Sequence, residues 1–236
     1  PSETSTETEP AAPVEMTLTL QQAVDQAVQN NLDIKKAGFD RNKASRAYAY
    51  ALRNSHNLED SVVSSGYTTK MAIYLAPKKA ERLSQQADQI YNVTVNGVKV
   101  KVEKAFYELI KARESEQIKE NALQRAEEQL RIANSKFAVG AVARIEVIKN
   151  EAARAGAQAA LTSAKTESHQ KMLELNRVLG LDIGTIINTS GVFEFKAESF
   201  KLQSLLDRAS QESISIIMAQ NDYDTAQWSY DFTVSY

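Results

Sequence analysis

Beyond Pro13 this chain of 236 residues has a single proline, Pro77, so the stretch from Lys78 to Tyr236 carries no obligatory helix stop. Apolar residues keep helical spacing along the first part of that stretch, at Leu83, Ala87, Ile90, Val98, Val102, Ala105, Leu109, Ala112, Ala122, Ala126, Leu130, Ala133 and Phe137. Pro77 reads as the first residue of this helix, where its missing N–H would be unsatisfied anyway. From Lys78 to Ala138 such a helix would extend roughly 90 Å.

One segment argues for a different structure. Val93, Val95, Val98, Val100 and Val102 alternate around Asn96-Gly97, a strong hairpin signature, and Gly97 would cost a helix about 1 kcal/mol. Propensity favours a hairpin there. Ala, Glu and Lys patterning resumes at once on both sides, and on that ground the segment is expected to be helical. Gly140 stands where a helix wants a left-handed C-cap, and an alanine-rich helix follows from Arg144 to Leu179, closed by Gly180. The two helices form an antiparallel hairpin. Ala152, Ala153, Ala155, Gly156, Ala157, Ala159, Ala160 and Ala164 on the returning arm allow close approach of neighbouring helices. The expected fold class is mainly all-α: a long antiparallel helical hairpin or coiled coil with minor short β segments.

Four regions follow along the chain. Residues 1–15 are Ser, Thr, Glu and Pro-rich and read as a disordered lead-in. Residues 16–76 hold the first helices and a reduced strand region, 77–181 the long hairpin with its tip near 137–146, and 182–236 a connector and the start of a second repeat. The first helical segment runs from Leu18 to about Leu52, with Thr19 and Gln22 as a capping box and a break at Asn30-Asn31. From Asn54 to Leu75 polar residues give way to alternating Met71, Ile73 and Leu75, which reads as a loop with one or two short strands. Another short strand is expected near Val192 to Phe195. Trp228, Tyr230, Phe232 and Tyr236 alternate at the end; they fit either a membrane strand or a hydrophobic core.

The chain also repeats itself. Sliding it along itself until Leu18 meets Phe200 lays Leu18–Tyr48 over Phe200–Tyr230 without a gap, and 10 of 31 positions are identical, among them Gln21/Gln203, Asp25/Asp207, Ile34/Ile216 and Tyr48/Tyr230. A unit of that length is a duplicated half, far longer than solenoid periods of about 20 to 50 residues. The chain stops shortly after its second copy begins, which reads as a truncation. It also begins without an initiating Met or a charged-then-apolar leader, as after a removed signal peptide or at an internal boundary.

Composition narrows the function classes. Lys and Arg number 28 against 30 Asp and Glu, a net charge of −2, so no net field favours nucleic acid or an anionic membrane. Zero Cys removes disulfides and thiol chemistry. His56 and His169 lie far apart in the chain and do not suggest a metal site, and no Gly-rich phosphate loop or nucleophile elbow is present. No catalytic residue, metal or cofactor is expected, and the chain reads as a non-enzyme. The charged run Lys111–Glu120 reads as solvated hairpin surface rather than a lumen lining. No stretch approaches the roughly 18 apolar residues of a membrane-spanning helix.

Leu18-Thr-Leu-Gln-Gln-Ala-Val-Asp-Gln-Ala-Val-Gln-Asn-Asn-Leu-Asp-Ile34 resembles the first equatorial helix of the TolC-like outer-membrane efflux proteins of bacteria. Lys136-Phe-Ala-Val-Gly140, then Ile145-Glu146-Val147 and Leu175-Asn-Arg-Val-Leu-Gly180, resemble that family's helical hairpin from Phe137 to Gly180. The family is an internal duplication too. The resemblance implies a homotrimer when full length, whose hairpins pack into a hollow periplasmic α-barrel below an outer-membrane β-barrel. It implies a passive channel for efflux or type I secretion that docks on a periplasmic adaptor and an inner-membrane transporter, with no nucleic-acid partner. It also implies adaptor contact at the hairpin tip, here Phe137, Val139, Gly140, Ala141 and Arg144.

Three departures stand beside this. Only Asn54 to Ala76 is available for two membrane strands, so membrane contact would come only through a reduced or missing β region. Ala141 replaces the leucine that commonly follows Val-Gly, and Ile145-Glu146 replaces the usual Thr-Asp cap. The second hairpin lies outside the chain. The resulting expectation is a channel subunit of the cell envelope, at the outer membrane and periplasm; the competing reading is an envelope structural or interaction protein that forms no pore.

Overall fold

The computed structural model describes residues 15–60, 66–191, 197 and 199–235. The fold is mainly α-helical, as the spacing predicts, with one long hairpin and a small two-stranded parallel sheet. The elements are β1 (Glu15–Leu18), α1 (Leu20–Asn30), α2 (Leu32–Glu59), α3 (Tyr67–Lys70), a π turn (Met71–Leu75), α4 (Ala76–Ala138), α5 (Arg144–Leu179), β2 (Ile186–Thr189), α6 (Leu202–Glu212) and α7 (Ile214–Ser235). Residues 15–27 with 100–191 form one compact unit, and the described residues of 28–99 and 197–235 form another.

The capping chemistry of the first helices follows the sequence. Gln22 Oε1 accepts from the Thr19 N–H at 2.9 Å, and the Gln22 N–H donates to Thr19 Oγ1 at 3.3 Å, a reciprocal capping box that starts α1. Asn31 breaks the run as expected: its side chain accepts from the N–H groups of Asp33 and Ile34 and so caps α2. Of the expected lead-in only Glu15 is described, and it is a strand residue. Residues 1–14 lie outside the described residues, but Glu15 and Met16 already pair with Ile186 and Ile187 of β2.

In the first unit, β1 and β2 sit at the base of the hairpin. Ile187 is fully buried together with Phe106, Leu109, Leu175 and Leu179. Asn176, also fully buried, donates from Nδ2 to the Thr185 carbonyl at 2.7 Å, and Arg113 Nη2 donates to the Ile187 carbonyl. Desolvation holds the Arg113 guanidinium below its ordinary pKa, partly offset by Glu116. The strand expected at Val192–Phe195 lies outside the described residues; the connector's observed strand is Ile186–Thr189. Period-2 alternation is invisible in a strand this short, and only its β1 partner reveals it.

The second unit corrects the strand region. Asn54 to Glu59 continue α2, so His56 is helical rather than in a loop, and its Nδ1–H donates to the Leu52 carbonyl at 2.8 Å. Residues 61–65 lie outside the described residues. Met71, Ile73 and Leu75 lie in the π turn, not in a strand. So short a segment cannot separate alternation from a helical pattern, and Tyr67, Met71 and Tyr74 fall on one helical face at i, i+4 and i+7. Pro77 is likewise not a helix start but the second residue of α4, continuous with that turn. The Ala76 N–H bonds Met71 O, one residue further back than in an α-helix. This wide turn accommodates a ring that lacks a donor and would clash with the carbonyl four residues earlier. Around the same turn the Tyr67 ring packs on Phe232 at 5.4 Å, Arg82 pairs with Asp224 at 3.0 Å, and the Arg82 guanidinium lies over Trp228. The alternating end of the chain is therefore helical, and Phe232 is a core residue there; Tyr236 lies outside the described residues.

α4 runs unbroken for 63 residues, through Asn96-Gly97. The expected helix prevails there over the local hairpin signal. No heavy atom lies within 4 Å of where a Gly97 side chain would begin, so its cost is the conformational one alone.

Candidate functional site: the hairpin tip

The tip is built on a glycine-dependent chain reversal. At the end of α4 the Gly140 N–H donates to the Phe137 carbonyl at 2.9 Å and the Ala141 N–H to the Lys136 carbonyl at 2.8 Å, with Gly140 at φ 73°. This is a Schellman motif, which satisfies two terminal carbonyls and requires a left-handed residue. At the far end of α5, Gly180 (φ 69°) and Leu181 repeat it onto Arg177 and Asn176. The two glycines thus delimit the returning arm, whose bounds, Arg144–Leu179, are those the sequence predicts.

Ion pairs fix the register of the arms. Glu127 before Gly140 and Arg154 after it approach to 3.6 Å. Further from the turn, Glu108 on α4 and Lys171 on α5 approach to 3.8 Å. In each pair the two partners stand almost equally far along the chain from Gly140, which requires antiparallel arms. Buried Leu123, Ala126 and Ala133 on α4 and Val147, Leu161, Ala164 and Ser168 on α5 recur at steps of three, four and seven or their multiples, the spacing of a coiled-coil seam. Nearer the tip Glu128 takes a bidentate pair from Arg131, at 2.8 and 2.7 Å, which holds its carboxyl below the usual carboxylate range.

All five predicted tip residues come together at the turn, and all are exposed. Val139 is 79 % exposed and Phe137 42 %, while Gly140 has open space where a Cβ would sit. Sequence reasoning assigned no contact role to three nearby isoleucines. Ile132, Ile145 and Ile148 are also exposed on the two arms near the turn; the signal available was that each is a large aliphatic residue off the buried seam. Ala143, the N-cap of α5, offers no side-chain acceptor to the first turn. The tip therefore presents apolar side chains and an uncapped helix start on a short, sharply defined turn. Among the described residues no cluster of three His, Asp or Glu could hold a metal.

No family model and no curated protein matches the chain. Its fold is similar to the crystal structure of the Campylobacter jejuni CmeC outer membrane channel, with a TM-score of 0.68 at 18 % identity. The match covers 86 % of this chain and 51 % of that one, so the chain spans about half the length of that channel.

Proposed function

We propose that this chain is a non-enzymatic subunit of a TolC-like trimeric envelope channel, serving efflux or type I secretion. The observation that carries the reading is the fold likeness to an outer membrane channel over 86 % of the chain, which itself contains the long hairpin. In this reading the hairpins of three copies line a lumen in the periplasm. The apolar tip around Val139-Gly140 seats on an adaptor protein that links the channel to an inner-membrane transporter. An apolar, glycine-capped turn suits that role because it can bury side chains and approach a partner backbone closely. The test is cross-linking at the tip in envelope preparations, combined with planar-bilayer recording. Discrete conductance and adaptor capture, the latter abolished by Val139→Asp, are expected. A protein that neither conducts nor is captured contradicts the reading.

One observation favours a second reading, an envelope scaffold that forms no pore. Only residues 60–66 separate α2 from α3, whereas each transmembrane strand needs about 9 to 11 residues. Fractionation distinguishes the two: a wall-associated or soluble pool supports the scaffold, and detergent-dependent trimers support the channel. Among the described residues no helix is long and apolar enough to cross a membrane.

A further inference from the structure

Where α4 and α5 run side by side near the base of the hairpin, they flank a groove of about 340 Å³ whose walls carry four cationic side chains and two carboxylates. That is a local excess of positive charge in a chain whose net charge is −2. Both carboxylates are already taken. Lys171 of α5, half-buried, stands 3.8 Å from Glu108 of α4 and 3.7 Å from Glu174 on its own helix. Lys101, Lys104 and Arg177 are left over. All three are exposed, and among the described residues none of their side chains has a carboxylate or other hydrogen-bond partner.

The register of the arms brings these three cations together. Glu108 and Lys171 are level, and Lys104, Arg177 and Lys101 lie four, six and seven residues toward the base from that pair, within about 6–11 Å of it along the axis. Lys101 and Lys104 are neighbours at i, i+3 on one helix face, where like charges repel. The floor beneath them is Ala105 and Val178, each 7 % exposed, so it offers next to no apolar surface to an acyl chain or an aromatic ring. What would complement the groove is compact negative charge.

The geometry points to a binding site for a small soluble oxyanion of two or more charges, of the phosphate kind. The planar guanidinium of Arg177 can donate two parallel N–H bonds to such a group, and the ammonium groups of Lys101 and Lys104 supply point charges from the facing arm. Glu174, three residues from Arg177 on the same helix, opposes the incoming charge and draws Lys171 to itself. The site lies wholly within the first unit. It needs neither a second copy nor a lumen, so its failure and that of the channel reading are separate outcomes.

The probe is inorganic pyrophosphate, titrated by calorimetry into the full-length protein at fixed ionic strength, with the helix content of every variant matched to the parent by circular dichroism. Saturable binding is expected, weakened tenfold or more in Lys104→Gln and in Arg177→Gln and unchanged in Lys165→Gln, an exposed cation of α5 outside the groove. Glu174→Gln should tighten binding several-fold, because a repelling carboxylate is lost and Lys171 is released toward the groove; a merely structural cluster would show no such gain. No saturable binding by the parent, or equal losses in Lys165→Gln and the groove variants, overturns the site and leaves non-specific attraction only. Dihexanoyl phosphatidic acid below its micelle concentration is the second probe. If it binds several-fold tighter than pyrophosphate, the groove takes a lipid headgroup and the soluble ligand is overturned.

Discussion

Gly140 is where one residue decides the turn. With φ at 73° and no atom near its absent Cβ, Gly140→Ala should cost about 1–2 kcal/mol purely from the left-handed backbone. Gly156 is also in open space but has helical geometry, so Gly156→Ala should gain about 1 kcal/mol. Paired chemical melts of the two variants check the contrast. Ala143 is the weak point beside them, and Ala143→Ser should add about 1 kcal/mol by giving α5 the side-chain cap it lacks. Asn176→Ala should cost about 1–3 kcal/mol, because the Thr185 carbonyl loses its buried donor. The Glu128 carboxyl is depressed by Arg131, so its small contribution is present above the ordinary carboxylate range and fades as pH falls through the lower folded value. Arg131→Ala should return the Glu128 NMR titration to the ordinary range. The glycines and Asn31 were legible in sequence because their roles are local; Asn176 and Arg113 were not, since their acceptors belong to a strand with no signature of its own and to the turn before it.

Element boundaries were legible wherever a cap or a long period marked them. α5 ends on its predicted residues, and α4 overrides Asn96-Gly97 because a long amphipathic run outweighs one turn dipeptide. The segment from Met71 to Pro77 was misread for the converse reason: too short for a period, and carrying a proline whose usual place is a helix start. The π turn there makes a checkable demand. Pro77→Ala restores the missing donor and removes the ring, so amide exchange of residues 73–80 should slow relative to the parent protein; unchanged exchange would mean that the wide turn has another cause.

At the scale of the molecule, the correspondence of α1 with α6 and of the start of α2 with that of α7 under one common shift supports an ancestral duplication. The Gln21–Asp25 and Gln203–Asp207 hydrogen bonds, both 3.0 Å, recur at matching places. Sequence spacing could reveal such a plan, whereas which face each copy buries depends on neighbours that no single helix encodes. The alanine-rich returning arm and the exposed tip leave surface that association would cover. The most direct test is the mass of the protein extracted from the envelope in mild detergent, measured by native mass spectrometry. Three copies are expected; a single copy persisting at concentrations well above those in the cell would contradict the channel.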